Sequence, residues 1–570
     1  MKVILGLNCF HADSSACLIV NDKLVAAIEE ERINRTKHWA GFPIESIKEC
    51  LSIAKIDCNQ ITDVAINTDP KSNIVPKAIF FIKNFLKGRK KIEIIKRYRK
   101  KISIKKKLID LIKLKKNIKI HYINHHLAHL ASSYYLSGIN KATGLSIDGS
   151  GDFSSLAIGQ CHNEKIKIQE QIFFPNSLGV FYEAMTQFIG FKNFGDEYKI
   201  MGLAPYGKPI YLDIILKEIL IKDGDFFKLN LNFFNHHKSN YIYKAEGSPN
   251  QKNIFSTKML HLFNQKNIDN MEFKKNFASS VQKAYEYIFK QIVEYVIKKN
   301  YSKNLIYSGG CALNSSANRY LINNTFFDKI FISHSPGDNG GAIGAALYVS
   351  NTYRKNTSFD KSPYLGTSYS NEEIEPFLKN YKYKILYKFH KFEEITEIIS
   401  NLLIEQKVIG WFQGGMEFGP RALGNRSILA DPRSSNIKDI INSKIKKRED
   451  FRPFAPSILS EFKKEWYEEN NFENIYMSSV EIIKEDKKHL AHGVTHVDGT
   501  GRVQSVKENL NPKFYNLIKS FYKKTNVPIL LNTSFNENEP IVRTPNEAIE
   551  CLLRTDIDAL VIENYIITKK

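Results

Sequence analysis

Short apolar runs separated by polar turns open the chain. Val3–Asn8, residues 16–20 and residues 24–29 have the length and composition of strands, the last two joined by Asn21-Asp22, a pair suited to a tight hairpin. A polar loop, residues 9–15, separates the first two. An apolar helical pattern over 44–53 and a strand over 63–67 follow, and this alternation predicts an α/β unit. A second set of similar parts begins with a strand over 142–148, which runs into Gly149-Ser150-Gly151-Asp152 and another strand over 155–159. The half-repeat predicts two related α/β halves facing one another across a cleft.

A long helix over 273–299 leads to a strand over 304–307, whose exit is Ser308-Gly309-Gly310-Cys311-Ala312-Leu313-Asn314. The strand Lys329–Ile332 leads in turn to Ser335-Pro336-Gly337-Asp338-Asn339-Gly340-Gly341 and an alanine- and glycine-rich helix. Glycines at strand-to-helix turns let the backbone approach a ligand, and a helix N-terminus favours phosphate. Three such turns (148–152, 309–310 and 337–341), each directly after an apolar run, predict the phosphate and adenosine loops of a nucleotide cleft, as in the actin-like ATPases; the alternative is ordinary tight turns. The candidate nucleotide contacts are Asp148, Gly149, Ser150, Gly151, Gly309, Gly310, Asn314, Gly337, Asp338 and Asn339.

At 570 residues the chain exceeds one ordinary core, and two packed units are expected, 1–355 and 365–570, with a polar linker around 351–370. A hydrophobic fraction of 43% excludes a largely disordered chain. Asn8, His11 and Asp13 interrupt the first apolar run before it reaches signal-peptide length, and no segment approaches the ~20 apolar residues of a membrane span, so a soluble, cytoplasmic protein is expected. The seven cysteines lack the close pairing of a zinc ribbon or redox site and are expected to be reduced thiols. The formal charge of +22 fits nucleic acid, an anionic membrane or polyanionic substrates as partners, and equally the lysine-, isoleucine- and asparagine-rich composition of A/T-rich coding. Its densest part, residues 77–119, interleaves Lys and Arg with Ile, Leu and Phe at amphipathic spacing. A solvated helical insertion is expected there, with weak membrane-surface contact as the alternative.

Two constellations carry candidate chemistry. In His125-His126-Leu127-Ala128-His129, a helix starting after the strand over 118–123 puts His125 and His129 one turn apart on one face, within reach of one metal ion. Asp148 at a strand end and Asp338 in a glycine-rich turn would complete a mixed nitrogen and oxygen site for iron, manganese or zinc; a partly buried helix with polar histidines is the alternative. In the second module, the stretches 417–433 and 441–456 set Arg421, Lys446 and Arg452 amid glycine, proline and aromatics, which favours a pocket over a plain solvated face. Arg502 follows in His496-Val497-Asp498-Gly499-Thr500-Gly501-Arg502, and Asn532-Thr533-Ser534 comes after an apolar strand over 527–531. Guanidinium forks and an ammonium, with amide and hydroxyl donors from Asn532 and Ser534, match the needs of a small doubly charged phosphate ester.

At these residues the sequence resembles the O-carbamoyltransferase family that includes nodulation protein U, the cephamycin hydroxymethyl carbamoyltransferase and the tobramycin carbamoyltransferase. The resemblance spans nearly the whole chain: Leu5-Gly6-Leu7 through His11, Glu29-Glu30-Glu31-Arg32, the histidine run, residues 198–207, 308–314, 419–433, 448–456, 496–502 and 531–536, with 77–119 outside it. It implies an N-terminal module with the actin-like (ASKHA) fold of the tRNA threonylcarbamoyl transferases and a C-terminal YrdC-like module similar to their partner that makes carbamoyl adenylates. Carbamoyl phosphate would be bound by Arg421, Lys446, Arg452, Arg502, Asn532 and Ser534, with Arg421, Lys446 and Arg452 also stabilising charge during catalysis. ATP and one divalent metal would be held through His125, His129, Asp148 and Asp338, the metal being iron first, with manganese, zinc or magnesium as alternatives. His11 would be the base beside the acceptor hydroxyl. Where the family has His-Asp-Ala-Ser, this chain has His11-Ala12-Asp13-Ser14-Ser15, which displaces the aspartate by one position.

The implied reaction converts carbamoyl phosphate and ATP to carbamoyl adenylate and transfers the carbamoyl group to a hydroxyl of a small acceptor, a carbohydrate or sugar-decorated metabolite. No nucleic-acid partner is expected, and a homodimer is left open. The competing readings are a tRNA-modifying carbamoyl or threonylcarbamoyl transferase, a sugar kinase and a membrane-associated binding protein. The first has no RNA-reading motif outside the basic insertion, and the second leaves the C-terminal module unused.

Overall fold

The computed structural model describes residues 1–570 except 86–103, 116, 239–245, 250–251, 265–267, 325, 354–358 and 469. The chain separates into two units, Met1–Lys361 and Ser362–Lys570. Both are α/β with mixed sheets.

The first unit holds two five-stranded sheets of the same topology. In one, Val3–Asn8 is central, with Ser15–Val20 and Lys23–Glu29 added antiparallel on one side, and Asp63–Ile66 and Lys119–Tyr122 added parallel on the other. In the second, Lys141–Gly151 takes the central place. Ser154–His162 and Lys165–Phe173 lie antiparallel on one side, Asn304–Ser308 and Lys329–Ile332 parallel on the other. Val3–Asn8 is an unbroken buried run because it is covered on both faces. At the Asn21-Asp22 turn φ is 48° and 64°, the left-handed geometry that these two residue types tolerate and that matches strand twist.

Helix Gly340–Tyr353 packs on the first sheet and helix His125–Ser137 on the second, and the two helices pack on each other. His125–Ser137 is therefore buried on almost every side, which takes its histidines out of water. Of the basic segment, the described parts form helices Ile74–Phe85 and Ile104–Ile112. In the latter, Ile104, Leu108 and Ile112 recur every four residues and are buried, whereas Lys105 and Lys106 are exposed. The centre of the expected insertion, 86–103, lies outside the described residues, as do 354–358 of the expected linker.

The second unit is built on an eight-stranded mixed sheet. Its spatial order is Ile385–Phe389, Tyr565–Lys569, Ala559–Ile562, Ile409–Phe412, Arg426–Ala430, Ile529–Ser534, Ala455–Leu459 and Gln504–Val506. Helices Phe392–Ile404 and Pro512–Thr525 pack together, and their apolar faces join Trp411, Phe412 and Leu530 in one core. No helix among the described residues is long and apolar enough to cross a membrane. The seven cysteines are free thiols.

Candidate active site

In the first unit, the histidine pair is placed by the start of its helix. Asn124 caps the helix by accepting from the Leu127 amide at 3.1 Å, and Asp152 Oδ2 accepts from the His125 amide at 3.0 Å. Asp152 also accepts from Thr68 Oγ1 at 2.6 Å and from the Asp69 amide at 2.7 Å, so the end of the 148–152 turn braces the histidine helix. His125 and His129, one turn apart, bring their Nε2 atoms within 3.0 Å of each other. Asp148 Oδ2 lies 2.9 Å from His125 Nε2 and 3.4 Å from His129 Nε2. Asp338 Oδ1 lies 3.4 Å and 3.5 Å from the same two atoms.

Two glycines shape this cluster. A Cβ on Gly151 would sit 2.0 Å from the His125 ring, so only hydrogen fits there. The Gly310 amide donates to Asp148 Oδ1 at 2.9 Å, which leaves Oδ2 for the imidazoles. These glycines thus serve the histidine–aspartate set.

Electrostatics mark the four residues as a receptor for positive charge. Burial would lift the Asp148 carboxyl, but hydrogen bonds from both imidazoles hold it well below the usual carboxylate range. Asp338 is raised by burial and by the neighbouring charge of Asp148. Burial opposes charge on His129 as well, yet the two aspartates raise it to about 9. Asp338 Oδ1 is buried with no hydrogen-bond partner among the described residues. Four converging nitrogen and oxygen donors, with two mutually repelling carboxylates, fit a divalent cation. His126 faces the other way, its Nδ1 2.8 Å from Ser146 Oγ, and burial pushes its pKa down to about 3.

His11 stacks on His125 with ring centroids 5.5 Å apart. Its loop is pinned to the segment 39–41: Phe10 N donates to Gly41 O, Ser14 N to Trp39 O and Ser14 Oγ to Gly41 O, each at 2.9 Å. The displaced Asp13 contacts His38 Nδ1 at 2.8 Å, and the His38 amide donates to Glu31 Oε2 at 2.7 Å. Burial would depress His38, but Asp13, Glu31 and Glu197 outweigh it and raise its pKa to about 9. No motif in the sequence pointed to this pair.

The remaining nucleotide candidates lie around the same strand ends. Ser150 is exposed and a Cβ on Gly149 would meet nothing within 4 Å, whereas the Gly309 amide donates to Pro336 O at 2.8 Å. A Cβ on Gly337 would meet Asn339 Oδ1, Leu313 Cδ1 and Gly310 Cα at 3.8, 3.9 and 4.0 Å, ordinary van der Waals contact. Asn314 is engaged as the cap of helix Ser315–Ile322 and with Gln282. Asn339 donates to Glu29 Oε1 at 3.0 Å, tying the two halves of the unit beside Asp338.

In the second unit, Glu417 organises the loop that carries Arg421. Its Oε1 accepts from the amides of Leu423, Asn425 and Arg426 at 2.7, 2.8 and 3.2 Å. The Arg421 guanidinium is held well below its ordinary pKa by burial and by the charge of Arg502, and Arg502 is lowered to about 10 by burial and by Arg452. Arg421 thus lies within range of the charge of Arg502, and Arg502 within range of that of Arg452. Lys446 turns its ammonium to the strand exit, donating to Ser534 O at 2.5 Å and to Asn536 O and Oδ1 at 2.8 and 2.6 Å. Ser534 Oγ donates to Asn536 Oδ1 at 2.8 Å. Asn532 Nδ2 faces Ala422 O, Ser457 Oγ and Gln504 Oε1 at 3.3, 3.0 and 3.0 Å. The Asn532 and Ser534 donors expected to face a ligand are thus taken up by the protein, a consequence of the strand's central place in the sheet. Arg426, five residues after Arg421, is fully buried over Phe412 and donates to four backbone carbonyls.

One unit that converges two imidazoles on two carboxylates, and another that gathers three guanidiniums, give this α/β chain the make-up of a group-transfer enzyme. It belongs to the carbamoyltransferase family: the family model for the carbamoyltransferase N-terminus matches residues 3–347, and that for the carbamoyltransferase C-terminus matches 400–569. It is 34% identical to an uncharacterized protein of Synechocystis sp. over 100% of this chain and 97% of that protein. Nodulation protein NolNO of Sinorhizobium fredii is 34% identical, over 99% of this chain and 80% of that protein. The 3'-hydroxymethylcephem-O-carbamoyltransferase of Amycolatopsis lactamdurans is 35% identical over 41% of this chain and 42% of that protein.

Proposed function

We propose that the protein is an ATP-dependent O-carbamoyltransferase that takes its carbamoyl group from carbamoyl phosphate and delivers it to a hydroxyl of a small acceptor, a carbohydrate or sugar-decorated metabolite. The observation that carries this is the pairing, in one carbamoyltransferase chain, of a buried His125–His129–Asp148–Asp338 set with an Arg421–Arg452–Arg502 cluster. An actin-like fold for Met1–Lys361 is supported by its two sheets of matching topology. A YrdC-like fold for Ser362–Lys570 rests on the family resemblance.

In this reading Arg421, Arg452 and Arg502 take the phosphate dianion, whose charge offsets the burial and mutual repulsion that lower the pKa values of Arg421 and Arg502. Lys446 fixes the Ser534–Asn536 turn at its edge. Water attacks carbamoyl phosphate, its oxygen ending in the products as phosphate departs, and carbamate is left. A carbamate oxygen then attacks the α-phosphorus of ATP, forming carbamoyl adenylate and releasing pyrophosphate. His125, His129, Asp148 and Asp338 would hold a divalent cation, which when bound neutralises nucleotide phosphate charge. The acceptor oxygen attacks the carbamoyl carbon, AMP departs, and His11 takes the acceptor's proton. The glycine turns at 148–151, 309–310 and 337–339 are proposed to line the nucleotide.

The test is product analysis with ATP, carbamoyl phosphate and a divalent metal. Pyrophosphate should form, dependent on carbamoyl phosphate, with an equal amount of AMP once the carbamoyl adenylate is hydrolysed, and Asp338→Asn and Arg452→Ala should each abolish both. Formation of ADP, or turnover without carbamoyl phosphate, would overturn the reading.

A further inference from the structure

We propose that the outward side of helix Ile74–Phe85 is a docking surface for an anionic lipid bilayer, on which the first unit rests without crossing it. The transfer reaction proposed above does not use this surface.

The helix meets the rest of its unit along one narrow side. Phe80 packs edge-on against Phe153 and Phe174, with ring centroids 5.5 and 5.3 Å apart. Lys77 folds back, donating to Pro70 O at 3.3 Å and to Ser72 O. Just before the helix, Asn73 Nδ2 donates to Asp152 O at 3.0 Å. These contacts fix which side of the helix is turned outward.

That outward side is apolar. Ile74, Val75, Ala78, Ile79, Phe81 and Ile82 are all exposed, Val75 at 68% and Ile82 at 65%. At 3.6 residues per turn these positions fall within an arc of about 160°, which makes a continuous strip rather than scattered side chains. A merely solvated helix turns polar groups outward, as Ile104–Ile112 does with Lys105 and Lys106 while burying Ile104, Leu108 and Ile112. Helix Ile74–Phe85 turns isoleucine, valine and phenylalanine outward instead.

Charge decides what covers the strip. Lys71 stands exposed ahead of the helix, and residues 77–119 carry eighteen Lys and Arg against two acidic residues, Glu93 and Asp110. Among them, Lys113, Lys115 and Lys119 are exposed as well as Lys105 and Lys106. A second copy of the chain would bring the same positive charge against its twin and be repelled. A nucleic acid would satisfy the cations but leave the aliphatic strip in water. An anionic bilayer answers both features, with negative headgroups for Lys and Arg and an acyl boundary that takes up one side of a helix lying in the surface plane.

The experiment is co-sedimentation of the full chain with vesicles in about 0.15 M salt, where only close charges still attract. Phosphatidylcholine vesicles are compared with phosphatidylcholine vesicles containing phosphatidylserine, for wild type and for a double variant, Ile79→Ser with Ile82→Ser. Wild type should bind the anionic vesicles at least about tenfold more tightly than the neutral ones. The double variant should keep the wild-type thermal midpoint, since both side chains are exposed, and should lose about tenfold or more in affinity for the anionic vesicles. Wild type that binds neither kind of vesicle, or binds both equally, overturns the proposal. A double variant that binds anionic vesicles as wild type does also overturns it, because charge alone then accounts for the attachment. Sedimentation equilibrium tests the rival occupant: a wild-type dimer that the double variant cannot form assigns the strip to a second copy and overturns the proposal as well.

Discussion

Gly310→Ala separates the geometry of the histidine–aspartate cluster from the stability of the unit that holds it. The glycine is not in the left-handed region, so alanine can adopt its backbone. An added Cβ would lie 2.7 Å from Asp148 Oδ1 and 4.0 Å from its Cγ. The free end of a short side chain gives way more readily than backbone, so the carboxylate should shift by about 0.5 Å, more than the ~0.2 Å within which metal–ligand distances are held. Affinity for a divalent metal should then fall about 10- to 100-fold, the range found when a group that orients a metal ligand is lost. The thermal midpoint should move little. Gly149→Ala, whose Cβ meets nothing within 4 Å, is the control from the adjoining turn. The assay is equilibrium dialysis against graded Mn²⁺ or Fe²⁺, with bound metal counted by mass spectrometry beside thermal unfolding. Unchanged affinity in Gly310→Ala, or an equal loss in Gly149→Ala, would refute the reasoning.

Other outcomes follow from the same contacts. Glu417→Ala strips the acceptor from three buried amides and should cost about 3 kcal/mol or more in urea unfolding, while Glu417→Gln, which keeps one carbonyl oxygen, should cost clearly less; equal losses would contradict the assigned role. The folded-state pKa of His38, about 9, lies above its ordinary 6.5, so the stability this group contributes is full below about pH 6.5 and is lost as pH rises through about 9. His38→Gln should flatten that part of the stability–pH curve, and superimposable curves for wild type and variant would speak against the ion pair. Inorganic phosphate at a hundred times its dissociation constant should stabilise the protein by about 2.7 kcal/mol, an effect that Arg452→Ala should remove and matched chloride should not reproduce.

Much of this architecture was legible because local signals and tertiary structure agree. The runs Val3–Asn8 and Lys329–Ile332 are strands with the expected bounds, and the expected hairpin turn carries the left-handed angles its residues favour. The histidine spacing was legible for the same reason, since i and i+4 share a face of any helix. What spacing does not reveal is which groups the fold uses for itself. Arg421 and Arg426 occupy one motif and are alike in sequence, yet Arg426 sits over Phe412 and is spent on backbone carbonyls. Spacing alone offers Lys446 and Asn532 as free donors, but packing against distant segments turns their N–H groups onto Asn536 and Gln504. The Asp13–His38 contact joins residues 25 apart and leaves no periodic trace.

Both clusters place like charges together, Asp148 with Asp338 in one unit and Arg421 with Arg502 and Arg452 in the other. Such repulsion persists because surrounding hydrogen bonds hold the groups in place: the Gly310 amide on Asp148, and Glu417 on the loop of Arg421. A ligand of opposite charge removes the repulsion without remaking those bonds, so its binding should tighten the segments that supply the charges. Hydrogen–deuterium exchange resolves this by segment. A divalent cation should slow exchange in helix His125–Ser137, and inorganic phosphate should slow it at residues 421–426. A cation that leaves the histidine helix exchanging at its original rate, at concentrations that saturate metal content, would show that the four converging side chains are not its site.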